Sequence, residues 1–336
     1  MKRALSQTLK FTAFLALGLL LLYLAFRNIS IDELRDNLRG ADYRWIALAF
    51  TASGAAFLSR ARRWVLLIRP LGYQPGFRVV FHSMMSGYLA NMALPRMGEV
   101  TKCVMIYRRE KIPLDKLIGT VITERVVDFL SLIIILILIL LATFDSSAPF
   151  MKDNILLPLT EKAGALFGAT VTARILTAAI LIAIPVLLFL FRKKIFGKTL
   201  YPRIREFIKG VVNGIRSFRV LEHKWEFLFH SVFIWFCYII MTWVVVFVLP
   251  ATSHLGFGDG VFLLVIGGLG MSAPVQSGLG AFHWIISRGL HLVYGIPLAD
   301  SLAYALISHT SQMILIAVIG TISLFALLHA GKAKSE

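Results

Sequence analysis

The chain reads as an all-α polytopic membrane protein, with six full transmembrane helices plus two re-entrant or broken-helix segments. Three observations predict this class. Hydrophobic residues make up 58% of the 336 and charged residues 16%, where soluble domains carry roughly 25% charged. Mean hydropathy is +0.78. Apolar stretches close to the ~20 residues needed to cross the hydrocarbon recur along the chain. A soluble domain of this size has too little interior for so much apolar surface, so part of its solvent is lipid. A soluble enzyme with a small anchor, a disordered chain and a disulfide scaffold are excluded. The two cysteines, Cys103 and Cys237, lie in or near apolar segments and make no disulfide framework.

The first span is Phe11–Phe26, uncharged and preceded by Lys2, Arg3 and Lys10. Arg27 follows at once and no small-residue cleavage site is present, so this is an uncleaved helix rather than a signal peptide. The second runs from Trp45 to Arg60. The third covers Leu117–Phe144 and carries Glu124, Arg125 and Asp128 near its start. The fourth is Ile175–Phe191, the fifth starts at Phe227 and passes Leu249, and the sixth is Ser301–Leu328. Two other apolar stretches do not fit as simple spans. Val79–Pro95 is short and holds His82, Ser83, Ser86, Gly87 and Asn91. Gly260–Ser287 has no Asp, Glu, Lys or Arg and is interrupted by several glycines and Pro274. Residues of those two types break helices.

Charge sets the threading. Lys and Arg exceed Asp and Glu by 17. In a soluble protein that excess suggests nucleic acid; here it suggests basic loops against an anionic membrane surface. Of the 35 Lys and Arg, 26 lie in regions 1–10, 60–78, 96–116, 192–226 and the tail from Gly331. Placing these in the cytoplasm gives six spans with both termini inside. Val79–Pro95 then enters and leaves on the cytoplasmic side, and 260–294 on the outer side. Eight spans, with 260–294 crossing twice, satisfy the same rule. The whole chain is one domain, 1–336, whose halves at 1–144 and 175–329 share an element order with opposite starting sides. That is the pattern of an inverted repeat, whose binding site sits at the broken segments. Residues 192–226 carry apolar positions at helical spacing and read as a cytoplasmic amphipathic linker.

The candidate substrate-binding residues fall in three places. Asn91, Arg96 and Glu99 flank the end of the first broken segment, where a guanidinium beside a helix restart suits a phosphate; an ordinary interfacial loop reads equally well. Glu124, Arg125 and Asp128 are ionisable groups within a span, which carries a functional reading by default. Arg125 is expected to pair with Asp128, and Glu124 to reach Arg96 or Lys102, with a structural ion clamp as the alternative. Gln276, Ser277, Gly278, Gly280 and His283, with Arg288 further on, mark the second break. There an unwound backbone and a restarting helix present free N–H groups to a ligand. His82, His230 and His309 read as satisfied interhelical hydrogen bonders. Arg60, Arg62 and Arg63 beside Trp64 read as an interfacial anchor. No catalytic or metal-binding sequence pattern occurs, so no catalytic residue, cofactor or metal is expected.

Three motifs, in this order and spacing, resemble a known family. They are Asn91–Glu99, the run from Glu124-Arg125 to Asp128, and Pro274-Val-Gln-Ser-Gly-Leu-Gly-Ala-Phe-His283. The chain is similar over nearly its whole length to the transmembrane, flippase-like region of the lysylphosphatidylglycerol synthase family. Many relatives have a second proline before the glycines and a Glu where this chain has His283. Bifunctional relatives carry a soluble aminoacyl-transfer domain after the last span, and here Glu336 follows it. The resemblance therefore implies lipid translocation in a bacterial inner membrane rather than the synthase reaction. The expected partners are a membrane phospholipid or lipid-linked substrate and anionic inner-leaflet lipid, with a second copy of the chain left open and no nucleic acid. The alternatives are a membrane-embedded lipid-modifying transferase using Glu99 and Glu124, and a non-catalytic membrane partner subunit.

Overall fold

A computed structural model describes residues 2–27, 29–94, 97–142, 221–273 and 275–332. Arg96, Pro274, the span expected at Ile175–Phe191 and nearly all of the 192–226 linker lie outside the described residues. Two compact units divide the chain, residues 1–132 with 217–336, and residues 133–216. The elements below belong to the first, with only the end of α6 reaching the second.

Every regular element among the described residues is helical. In chain order they are α1 (Lys2–Phe26), α2 (Ile31–Arg39), α3 (Arg44–Ile68), α4 (Phe77–Ala93), α5 (Met97–Glu110) and α6 (Leu114–Ala142). Then come α7 (Lys224–Val244), α8 (Phe257–Ser272), α9 (Ala281–Tyr294) and α10 (Leu298–Lys332). The outer loop expected at 27–44 contains the short helix α2. Ser30 caps it by accepting from the Glu33 N–H, Asp32 and Glu33 occupy its first turn and Arg39 its last, which suits the helix dipole.

Among the described residues, two helices are long and apolar enough to cross a membrane, at Lys224–Val248 and Leu298–His329, with mean hydropathies of 2.4 and 2.2. Phe14–Phe26 joins them if it and Ile31–Arg39, bent by 88°, count as one span. Exposure agrees with lipid as solvent. On α7, Trp225, Phe229, Val232 and Phe236 are exposed, and on α10 so are Ile314, Val318, Ile322 and Phe325. Both sets recur at helical spacing and form one stripe per helix. Apolar stripes of that length in water mark interaction or aggregation surfaces; in lipid they are the outer wall.

Both broken segments are helical hairpins. In the first, α4 packs on α5. A Cβ on Gly87 of α4 would stand 2.7 Å from the Gly98 carbonyl oxygen, and one on Gly98 of α5 would collide with the Gly87 carbonyl and the Asn91 amide. The two backbones touch because neither residue has a side chain. Asn91 closes the turn: its Oδ1 accepts from the Gly98 N–H at 2.6 Å. In the second hairpin α8 packs on α9, and the break between them runs through a 3-10 turn at Gln276–Gly278. Gly278 and Gly280 have φ of +75° and +78°, and Ser277 has φ of +46°. These are left-handed angles that favour glycine.

Gly87→Leu wedges a side chain between α4 and α5. It should lower the temperature at which purified protein loses its monodisperse elution peak. As a control, Leu58→Ala at an exposed position should leave that temperature near the parent value.

Candidate functional site

The described residues hold two polar constellations. The first is a buried ion cluster. Arg60 and Arg63 sit one turn apart on α3, Lys102 sits on α5, and Glu124 and Asp128 sit one turn apart on α6. Glu124 Oε1 accepts from Arg60 Nη2, its Oε2 accepts from Lys102 Nζ at 2.6 Å, and Arg63 Nη2 lies 3.7 Å away. Arg63 Nη2 donates to Asp128 Oδ1 at 2.6 Å, and Arg60 Nη1 donates to the Tyr238 hydroxyl of α7 at 2.8 Å. Aromatic faces complete the cage: Lys102 Nζ stands 4.2 Å from the centre of the Trp64 ring, and the Arg60 guanidinium 5.7 Å from that of Tyr88. Arg63 is 0% exposed and Glu124 1%. Three cations thus meet two carboxylates, and Arg63 Nε and Nη1 have no partner.

At the rim, Arg125 Nη2 stands 3.4 Å from Glu99 Oε1 and its Nη1 3.9 Å from Asp128 Oδ2. The pairing of Arg125 with Asp128 expected from the sequence is therefore at the limit of an ion pair, and Arg63 is the nearer partner of Asp128. Glu124 does reach Lys102, as expected. The reading of Arg60 and Arg63 as an interfacial anchor is overturned, because both are buried. Arg62 alone keeps a surface role, donating to Glu226 Oε1 at 2.6 Å. The spacing i, i+3 of two arginines inside an apolar helix is the signal that could have pointed to an internal cluster.

The second constellation lies where the hairpin tips meet. Ser277 Oγ donates to the Asn91 carbonyl at 3.3 Å, so the tip of α8–α9 touches the tip of α4–α5. The Ser277 carbonyl in turn accepts from His309 Nε2 of α10 at 2.8 Å. His283 Nδ1 accepts from the Gly280 N–H at 3.3 Å, closing the first turn of α9. The His283 and His309 ring centres are 4.7 Å apart. The tip also rests on α1, because the place a Gly280 Cβ would fill is occupied by the Gly18 carbonyl. Gln276 is 8% exposed and neither of its amide atoms has a partner among the described residues. On α10, Gln312 Oε1 lies 3.0 Å from Ser53 Oγ, while its Nε2 has none. Buried amides without partners are uncommon and call for an explanation.

The structure thus brings Asn91, Ser277, Gly278, Gly280, Gln276 and His283 together, and separately gathers Glu99, Glu124, Arg125 and Asp128. Arg288 is half-buried on α9 and makes no ion pair among the described residues. His82 and His230 are hydrogen-bonded to Ser323 and Ser59, as expected of satisfied interhelical histidines. The contributions of Ser53, Tyr88 and Tyr238 carry no sequence signal that separates them from packing residues. No group of three metal-ligating side chains occurs among the described residues.

Lipid-facing apolar stripes, paired broken hairpins and buried polar junctions define a helical integral membrane protein. Residues 11–320 match the family described as the lysylphosphatidylglycerol synthase TM region, and the chain belongs to that family. It is also 27% identical over 122 residues to a protein described as a UPF0104 membrane protein of Methanocaldococcus jannaschii. That match covers 35% of this chain and 36% of the archaeal protein, so the chain aligns with little more than a third of its relative's length.

The cluster generates a stability prediction. Removing one partner of a buried pair leaves an uncompensated charge and costs about 3–5 kcal/mol. Glu124→Ala should therefore abolish recovery of monodisperse protein. Arg125→Ala removes only a half-exposed partner and should cost under about 1 kcal/mol, leaving thermal unfolding in detergent close to the parent.

Proposed function

We propose that this protein carries a phospholipid or lipid-linked headgroup between the leaflets of its membrane, with the headgroup passing the junction of the two hairpin tips. The observation that carries the reading is the orphaned Gln276 amide beside the start of α9, at the contact between Ser277 and Asn91. An amide and a helix N-terminus together offer N–H groups to a phosphate oxygen or hydroxyl, and among the described residues no group uses the Gln276 amide. An ionised headgroup dragged through hydrocarbon without partners costs on the order of tens of kcal/mol in the Born limit. A polar path lined by such groups removes much of that barrier.

The reading includes the threading expected from charge: six spans, both termini cytoplasmic, the first hairpin opening inside and the second outside. The element order supports it. A long helix, a hairpin and a second long helix occur as α3, α4–α5 and α6, and again as α7, α8–α9 and α10. An inverted repeat of this form places the two breaks face to face near the midplane. Movement is facilitated or ion-coupled, in a bacterial inner membrane. The transferase alternative finds less support: Glu124 is committed on both oxygens to Arg60 and Lys102, which leaves it no free oxygen for acid–base work.

The test is reconstitution of purified protein with fluorescent phospholipid. A larger dithionite-accessible fraction than in protein-free vesicles supports translocation, and covalent change of the lipid supports a transferase instead. Gln276→Leu is the informative variant. The side chain has no partner to lose, so the variant should fold at least as well as the parent while losing most of the translocation. Equal translocation by Gln276→Leu would remove the junction from the path. Threading is checked separately: a cysteine at position 153 should label from outside intact cells, and one at position 213 should not.

A further inference from the structure

The hairpin junction holds two histidines whose hydrogen bonds are set by geometry. His283 uses Nδ1 to accept from the Gly280 N–H, so its own ring proton is on Nε2. His309 faces a carbonyl with Nε2, so Nε2 carries a proton. When both rings are neutral, each therefore holds its proton on Nε2 and a lone pair on Nδ1. Both are nearly buried, at 2% and 6% exposure, and their centres are 4.7 Å apart.

A further proton cannot be added here without consequence. On His283 it must go to Nδ1, where an N–H would then oppose the Gly280 N–H and the closure of the first turn of α9 is lost. On His309 the charge would stand against the His283 ring, at the N-terminal end of α9. That end of a helix is positive and repels a cation. Among the described residues, no carboxylate compensates. α9 packs on α1, α8 and α10. On α10, His309 faces the site, while Asp300 and Tyr304 lie nearer the helix start. On α8 the charged residue is Asp259, in the first turn, with most of the helix between it and the tip. On the described side chains of α1 the titratable group is Tyr23, which is exposed. The 3-10 turn brings Gln276 and Ser277, and α4 brings Asn91. On α9 itself Arg288, His291 and Tyr294 follow further along the helix.

We propose that the His283–His309 pair is a proton-binding site that holds the second hairpin tip on the first when neutral and releases it when protonated. The same tip carries Ser277, so release opens the Ser277–Asn91 contact. Linkage fixes the direction: because the released tip is the protonated one, falling pH favours release. By reciprocity, a headgroup that favours the released tip raises proton affinity. Resting on the proposed transport reading, this makes the proton the coupling ion.

The experiment measures the junction directly, so that it does not depend on transport. Spin labels replace exposed Leu94 on the first tip and exposed Leu269 on α8, in full-length protein with Cys103 and Cys237 changed to alanine, in lipid nanodiscs. Between pH 8 and pH 5 a second, longer distance should appear by pulsed electron resonance. The double variant His283→Gln with His309→Gln can keep both hydrogen bonds, since glutamine accepts from Gly280 through its oxygen and donates to Ser277 through its nitrogen. It should show the short distance at both pH values. A distance that does not change with pH in the histidine-containing protein overturns the proposal, and that arm needs no variant to fold. An unchanged pH response in the double variant overturns it equally. If the distance responds as expected but reconstituted protein moves no lipid at any pH, the proton site stands and the transport reading fails.

Discussion

Glu124 is the group around which the first half of the protein is arranged. An ionised carboxylate away from water needs opposite charge and hydrogen bonds on both oxygens. Arg60 supplies one and Lys102 the other, with Arg63 near. Because these cations come from α3 and α5, the requirement of one side chain on α6 fixes three helices. Lys102 lies one turn after Gly98, so seating its ammonium on Glu124 also seats the Gly87–Gly98 crossing. The crossing places Asn91, and Asn91 presents the carbonyl that receives the second hairpin. The position of the tip junction therefore traces back through short steps to a buried ion cluster.

The second hairpin is held by weaker means. Its tip is fixed by a hydroxyl on a carbonyl, an imidazole on a carbonyl, an amide on an imidazole, and a backbone contact with α1. Neutral hydrogen bonds contribute about 0.5–1.5 kcal/mol each, and Ser277, at φ of +46°, accepts strain in return. One hairpin is clamped by charge and the other rests on it lightly. Closely packed elements move between discrete seatings rather than deforming gradually, and here the light seating belongs to α8–α9.

Much of this was legible in the sequence, for physical reasons. Glycine and proline in an apolar run announced both hairpins, since the chain cannot stay helical through them. The ionisable residues of α6 announced a partnered site, because lipid does not tolerate them unpaired. The Arg60–Arg62–Arg63 run misled because alternation of apolar and basic residues near a span end reads as an anchor at the interface. Only the rotation of α3 against α6, a tertiary fact, turns two of those arginines inward and one outward. The meeting of Ser277 with Asn91 joins residues 186 positions apart and depends on the packing of five helices. No local pattern encodes it.

The excess cation in the cluster separates its role from that of the tip. Three buried cations against two carboxylates would be destabilising if the set only joined helices, because removing one cation would leave it balanced. Among the described residues Arg63 has two donors without a partner, Nε and Nη1, and Arg60 has one, Nε; Arg63 lies under the Phe227 ring of α7 at 6.0 Å. A cation held beside an aromatic face is partly compensated by the ring quadrupole, and Lys102 over Trp64 gains in the same way. The rings thus carry some of the charge balance that a third carboxylate would otherwise supply. What remains is a positive potential at the base of the first hairpin, with Arg125 and Glu99 at its exposed rim. Under the proposed function, an anionic headgroup approaching Asn91 meets that potential first, and the neutral amides of the junction after it. Attraction precedes the tip, and among the described residues the Ser277–Asn91 junction holds no fixed charge that would trap the headgroup there.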